Sequence, residues 1–164
     1  MEKNKYKIII PVSPDSINQV ATYGKRDGDI VGLKHKWQKL AYTILNEKIN
    51  SGDLPCKFKG KIGVFFKLFF ETSRQRDGDN YEAMCKGVID ALVYLKMIKD
   101  DNTEFVDDDG RRLRVEKERP RVEVIITEKI KDEDLISINY GLLSSQQQKN
   151  DNETTRKPDR KART

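Results

Sequence analysis

Arg74-Gln75-Arg76-Asp77-Gly78-Asp79-Asn80, followed at a distance by Lys99-Asp100-Asp101, brackets the stretch on which the reading of this chain turns. Asp77-Gly-Asp-Asn80 is turn chemistry, and Asp79 or Asn80 reads as the N-cap of a helix. From Tyr81 onward, Met84, Cys85, Val88, Leu92 and Leu95 recur at helical spacing. At about 100° per residue these side chains share one face. Asp79, Ala83, Lys86 and Asp90 fall on the opposite side, so the spacing predicts a helix with an apolar face and a face carrying charge.

Four carboxylates flank that helix: Asp77, Asp79, Asp100 and Asp101. Two carboxylates about 4 Å apart repel by roughly 4 kcal/mol at an effective dielectric of 20. Gathering them requires a cation, a shared proton, or separation by water. Oxygen ligands of this kind suit Mg²⁺ or Mn²⁺ rather than zinc. Helix starts and turns also favour aspartate with no further role, and spacing alone leaves both readings open. Arg74 and Arg76, just ahead of the acidic pair, could hold a phosphate or could partner the carboxylates.

Taken together, Asp77-x-Asp79-Asn80, a helix with Lys86 and Asp90-Ala-Leu92, and Asp100-Asp101 after Ile98 resemble the signature of RusA-type Holliday junction resolvases. The resemblance extends over roughly residues 5–128. It implies a Mg²⁺-dependent endonuclease, with Mn²⁺ as a possible substitute, that acts as a homodimer on four-way DNA junctions. Asp77, Asp79 and Asp101 would hold the metal, Asp100 would be a further carboxylate, and Lys86 would act on the transferring phosphate. The sequence departs from the pattern at one point. Counting forward from Asn80 places the family's helix lysine at Ala83; counting back from Asp90-Ala-Leu92 places it at Lys86. The helix therefore carries three extra residues near its start.

Composition sets bounds on this reading. The chain has 164 residues, with 36% hydrophobic and 36% charged content, as expected of one small domain with a real core. No apolar run is long enough for a membrane span or a signal peptide, so a cytoplasmic location and no membrane partner are expected. Cys56 and Cys85 lack zinc-ligand spacing, and Cys85 belongs to the apolar helix face. His35, the single histidine, lies in a Lys34-His-Lys36 surface cluster and excludes any mechanism needing two imidazoles. The net charge is +5, but residues 146–164 hold six basic against three acidic residues. Residues 1–145 hold 26 basic and 24 acidic residues, so DNA contacts must come from local clusters. Candidates are Lys25 and Arg26 in a polar loop, Lys34 and Lys36 at a helix start, and Arg74 and Arg76.

The remaining segments supply the framework. Tyr6–Pro11 reads as a strand, and Gly32–Asn50 as a helix with Leu33, Trp37, Leu40, Ala41, Ile44 and Leu45 on one face. Trp37 falls on that stripe as a core anchor. Lys59–Phe70 alternates with apolar residues on both faces, the mark of a central strand. Thr103–Asp108 and Arg111–Lys117 flank Asp109-Gly110, which predicts a hairpin turn that absorbs Asp107, Asp108 and Asp109. Arg121–Lys129 reads as a last strand, residues 131–143 as a short helix, and residues 144–164 as a disordered basic tail. The expected fold is thus α/β of the α+β type: a mixed sheet with two main helices, over residues 1–143. No glycine-rich phosphate loop precedes a helix, so no nucleotide cofactor is expected. Two further functions remain open beside a junction resolvase. One is a junction-binding protein without catalysis; the other is a Mg²⁺-dependent nuclease that prefers flaps or forks.

Overall fold

The computed structural model describes residues 4–16, 28–74 and 76–129. Lys25, Arg26, the helix expected over residues 131–143 and the tail over residues 144–164 lie outside the described residues. Four strands and two helices follow in the order β1 (Lys5–Ile10), α1 (Gly28–Asn50), β2 (Lys61–Phe70), α2 (Glu82–Tyr94), β3 (Val106–Val115) and β4 (Arg121–Lys129). The strands form one mixed sheet in the order β1-β4-β2-β3. Strand β4 runs antiparallel to both β1 and β2, while β2 and β3 are parallel. The α+β architecture read from the sequence is the one observed.

Alternation decides which face of the sheet is covered. Ile62, Val64, Phe66, Leu68 and Phe70 of β2 are buried, and so are Val122, Val124 and Ile126 of β4 and Ile8 and Ile10 of β1. Ala41 and Leu45 of α1 and Val88 and Leu92 of α2 meet Ile8, Ile10, Val124 and Ile126, so both helices lie on this face. Trp37 is fully buried, as its place on the apolar stripe requires, and its indole Nε1 donates to Asp15 at 3.1 Å. The other face carries charge that is neutralised pairwise. Lys7 and Arg121 each reach Glu123 at 2.9 Å. Burial pushes the Glu123 carboxyl up, but the hydrogen bonds from Lys7 and Arg121 outweigh it and leave the group below its usual range.

The two helices touch through backbone. A Cβ built on Gly87 of α2 would stand 2.4 Å from the Lys34 carbonyl oxygen and 3.1 Å from the Gln38 nitrogen of α1. The face of α2 read as a charged surface is therefore partly an interface: Ala83 and Gly87 are buried, and only Lys86 and Asp90 carry charge there.

Asp109-Gly110 does not make a hairpin. Residues 106–115 form one continuous strand, and Asp109-Gly110 sits inside it as a bulge. Val64 pairs with Asp108 and Phe66 with Arg111, so β3 has one residue more than β2 over this interval. Gly110 adopts φ +94°, and its N–H donates to Asp108 Oδ1 at 2.9 Å. The same positive-φ preference that favours Asp-Gly in a turn serves a glycine bulge equally well. The partner that decides is β2, which continues past the bulge and gives the second half of the segment a parallel neighbour.

Helix α2 ends in a Schellman turn: Met97 N–H donates to Leu92 O at 3.0 Å and Lys96 N–H to Val93 O at 2.9 Å. The residue in the left-handed position is Lys96, at φ 59°, where glycine is usual. Met97 and Leu92, the two side chains this turn brings together, are both fully buried.

Candidate functional site

The Asp77–Asn80 segment folds as a 3₁₀ turn, Gly78–Tyr81, that leads directly into α2. Asp77 caps the 3₁₀ turn, its side chain accepting from Asp79 N–H at 3.3 Å, while the N-cap of α2 is Tyr81, with no side-chain cap hydrogen bond, rather than Asp79 or Asn80. The turn rests on the bulged strand. A Cβ on Gly78 would lie 3.7 Å from the Arg111 side chain and 4.0 Å from that of Leu113. Arg111 also donates to Gly78 O at 3.3 Å and pairs with Asp108 at 3.1 Å. Sequence reasoning overlooked Arg111 because it placed this residue in a hairpin arm. The signal was present in the glycine beside it, read as the wrong irregularity.

Lys86 is the meeting point. It forms an ion pair with Asp101, in the turn after α2, and lies 3.5 Å from Asp90 one helical turn on. Asp90 in turn holds Lys34 of α1 at 2.7 Å. Lys34, Asp90, Lys86 and Asp101 thus form an alternating chain of charges linking both helices to the Asp100-Asp101 turn. Ala83, the other position for the helix lysine, is buried and has no polar side chain. Beside this chain an open cleft of about 420 Å³ is bordered by Ile30, Lys34, Glu82, Lys86, Asp108 and Arg111. Cys85 borders it too; burial pushes its thiol up to about 12, so it is not a nucleophile at neutral pH.

The other sequence-selected residues are distributed unevenly. Asp100 is engaged in its own turn, with Oδ1 accepting from Asp101 N–H at 2.7 Å and Oδ2 from Asn102 Nδ2 at 3.0 Å. Arg76 is engaged in its own loop: it donates to Thr72 O at 2.6 Å, Arg74 O at 2.9 Å and Thr72 Oγ1 at 2.8 Å, and stacks 4.0 Å over the Phe70 ring. Lys36 pairs with Asp15 at 2.6 Å. Arg74 is exposed. Asp107, Asp108 and Asp109, set aside as turn residues, are strand residues instead. Asp107 is held by Lys61 at 2.5 Å and by Lys129 at 2.8 Å, and these hydrogen bonds keep its carboxyl below the usual range.

As donors, Asp77, Asp79 and Asp101 suit a hard divalent ion. As a group they are not assembled: among the described residues no three His, Cys, Asp or Glu side chains stand together as a metal site. The cation on Asp101 is the Lys86 ammonium. No helix among the described residues is long and apolar enough to cross a membrane. No known family model matches the chain, and no curated protein is similar to it.

Proposed function

We propose that this protein is a Mg²⁺-dependent, structure-selective DNA endonuclease of the RusA type that nicks four-way junctions as a homodimer in the cytoplasm. The observation that supports this most is the Lys86–Asp101 pair. A lysine and a carboxylate picked out by their place in a sequence signature, on different elements, meet beside a cleft that also holds Lys34 and Arg111.

In this reading Asp77, Asp79 and Asp101 would hold the ion, and its chemistry would be that of a Lewis acid towards the phosphate and a bound water. The chain's own cations do the rest. Lys86 supplies positive charge where the transferring phosphate gains negative charge. Arg111 and Lys34 attract and orient the backbone around it. Asp90, bonded to both lysines, fixes where they can reach. Two such sites in a two-fold dimer would cut two strands symmetrically. A second reading, a branched-DNA-binding protein without catalysis, is favoured by the absence of an assembled carboxylate trio among the described residues.

Cleavage of a synthetic four-way junction, with flap and fork substrates alongside, separates the two. The nuclease reading expects paired nicks with Mg²⁺ and none with EDTA. Asp77→Asn should lower the rate on the order of a thousandfold while junction binding is kept or tightened. Binding without any Mg²⁺-dependent cleavage would establish the second reading, and wild-type cleavage by Asp77→Asn would remove that residue from the site.

A further inference from the structure

A second hollow, of about 360 Å³, lies at the carboxyl ends of β2 and β3, bordered by Phe70, Arg74, Arg76, Leu113, Arg114 and Val115. It shares no described residue with the cleft around Lys86. The Asp77–Tyr81 turn separates the two, since Gly78 rests on Arg111 of the first and on Leu113 of the second. Among the described residues three arginines border this hollow and no carboxylate does. One of them, Arg76, is tied to Thr72 and Arg74 O and stacked on Phe70, so it stiffens the wall. The side chains of Arg74 and Arg114 have no hydrogen-bond or ion-pair partner among the described residues. Val115 is 50% exposed on the floor.

Unpaired guanidinium groups above an aliphatic floor suit a ligand that alternates anionic and weakly polar units. The sugar-phosphate backbone has that character. We infer that this hollow is a second nucleic-acid contact, holding the backbone of the strand that passes over the Asp77–Asp79 turn; the inference rests on the nuclease reading. Arg74 and Arg114 each take a phosphate, Leu113 and Val115 pack against sugars, and Arg76 is a strut. At about 3.3 Å per strand residue, the path from Arg111 to Val115 covers about 13 Å. That equals the axial rise of about four base pairs, at roughly 3.4 Å of duplex axis per phosphate of one strand. The contact therefore sets how far the strand is fed past the cleft, and it reads no bases.

The test is the salt dependence of binding to a four-way junction, measured as log K against log salt for the full chain. Each phosphate contact contributes about 0.7–0.9 to the slope. Arg74→Ala/Arg114→Ala should flatten it by about 1.4–1.8, equally for junctions of different sequence. Arg112→Ala removes an exposed arginine from the same strand outside the hollow and should leave the slope unchanged. Arg76→Ala should lower the thermal midpoint more than it alters the slope. A wild-type slope in the double variant, or an equal effect of Arg112→Ala, overturns the inference. A double variant that keeps the slope but loses binding to poly-glutamate would assign the hollow to an acidic protein instead, and overturn it too. Tight binding by the wild type without cleavage defeats the nuclease reading alone, because the slopes still decide on the hollow. A wild type that binds no DNA of any form defeats both.

Discussion

Lys86 has two carboxylate partners and one proposed task that needs it released from one of them. In the described structure its ammonium group neutralises Asp101, and Asp90 holds it from the other side. A divalent ion at Asp101 competes with that ammonium. An ion pair this exposed is worth about 0.5–1 kcal/mol, so Lys86→Ala should tighten Mg²⁺ or Mn²⁺ binding about two- to fivefold. Titration calorimetry reads this directly, with no need for catalysis. Asp90→Ala should not tighten it, because Asp90 is not among the proposed metal donors; weaker or unchanged binding in Lys86→Ala removes the competition. At this scale the sequence was partly legible. Its periodicity placed Lys86 and Asp90 on one face, and that geometry is realised. It could not show that Asp101 returns to the lysine, because that depends on how the chain leaves the helix. Nor could it show that Arg76 is engaged by Thr72, a bond made by the fold of a loop that has no periodicity.

The exit from α2 rests on a residue unsuited to its backbone conformation. Lys96 stands in the left-handed position of the Schellman turn, at φ 59°, a conformation that costs a non-glycine residue about 1–2 kcal/mol. Lys96→Gly should therefore stabilise the protein by about 0.5–1 kcal/mol after the added backbone entropy of glycine is deducted. Denaturant unfolding checks it, and a less stable variant would mean that the lysine side chain makes a contribution larger than the strain. Gly87 has the reverse role. A methyl group there would meet the backbone of α1 at 2.4 Å, and backbone cannot give way as a side chain can. Gly87→Ala should cost about 1–3 kcal/mol through forced separation of the helices, although alanine is the better helix former. If unfolding of the variant matches wild type, the helices are not held at that distance. Elements with a clean period, α1, α2, β2 and β4, were legible in the sequence. The failure came at β3, where Asp-Gly has one local preference compatible with two structures, and only the neighbouring strand selects between them.

Across the whole molecule, the candidate chemistry lies along one line. The cleft with Lys34 and Lys86, the Asp77–Tyr81 turn and the arginine hollow follow one another on the helix-bearing side of β3. Among the described residues that side is left uncovered, because β3 is the last strand of the sheet and α1 and α2 pack over β1 and β4. Local pattern gave the helices and the order of strands along the chain, but it could not give the order β1-β4-β2-β3. That order depends on where a parallel partner for β2 is found. Placing the cleft, the turn and the hollow on one line then depends on counting. Side chains on a strand alternate like odd and even numbers, and the extra residue at Asp109-Gly110 changes the parity of everything after it. Arg111, Leu113 and Val115 face the helices only because two residues of β3 stand opposite Phe65 alone. An unusual ranking of mutations follows. Removing Gly110 restores a one-to-one count and leaves the later residues on their present sides. Gly110→Val keeps the surplus residue but forbids the φ of +94° that accommodates it, at a cost of about 1–3 kcal/mol, and it favours a flat strand with Arg111, Leu113 and Val115 turned away from the helices. Here a deletion should be milder than a substitution, in both unfolding free energy and the salt slope of DNA binding; a deletion variant that fares worse would show that the parity is fixed by something other than the bulge.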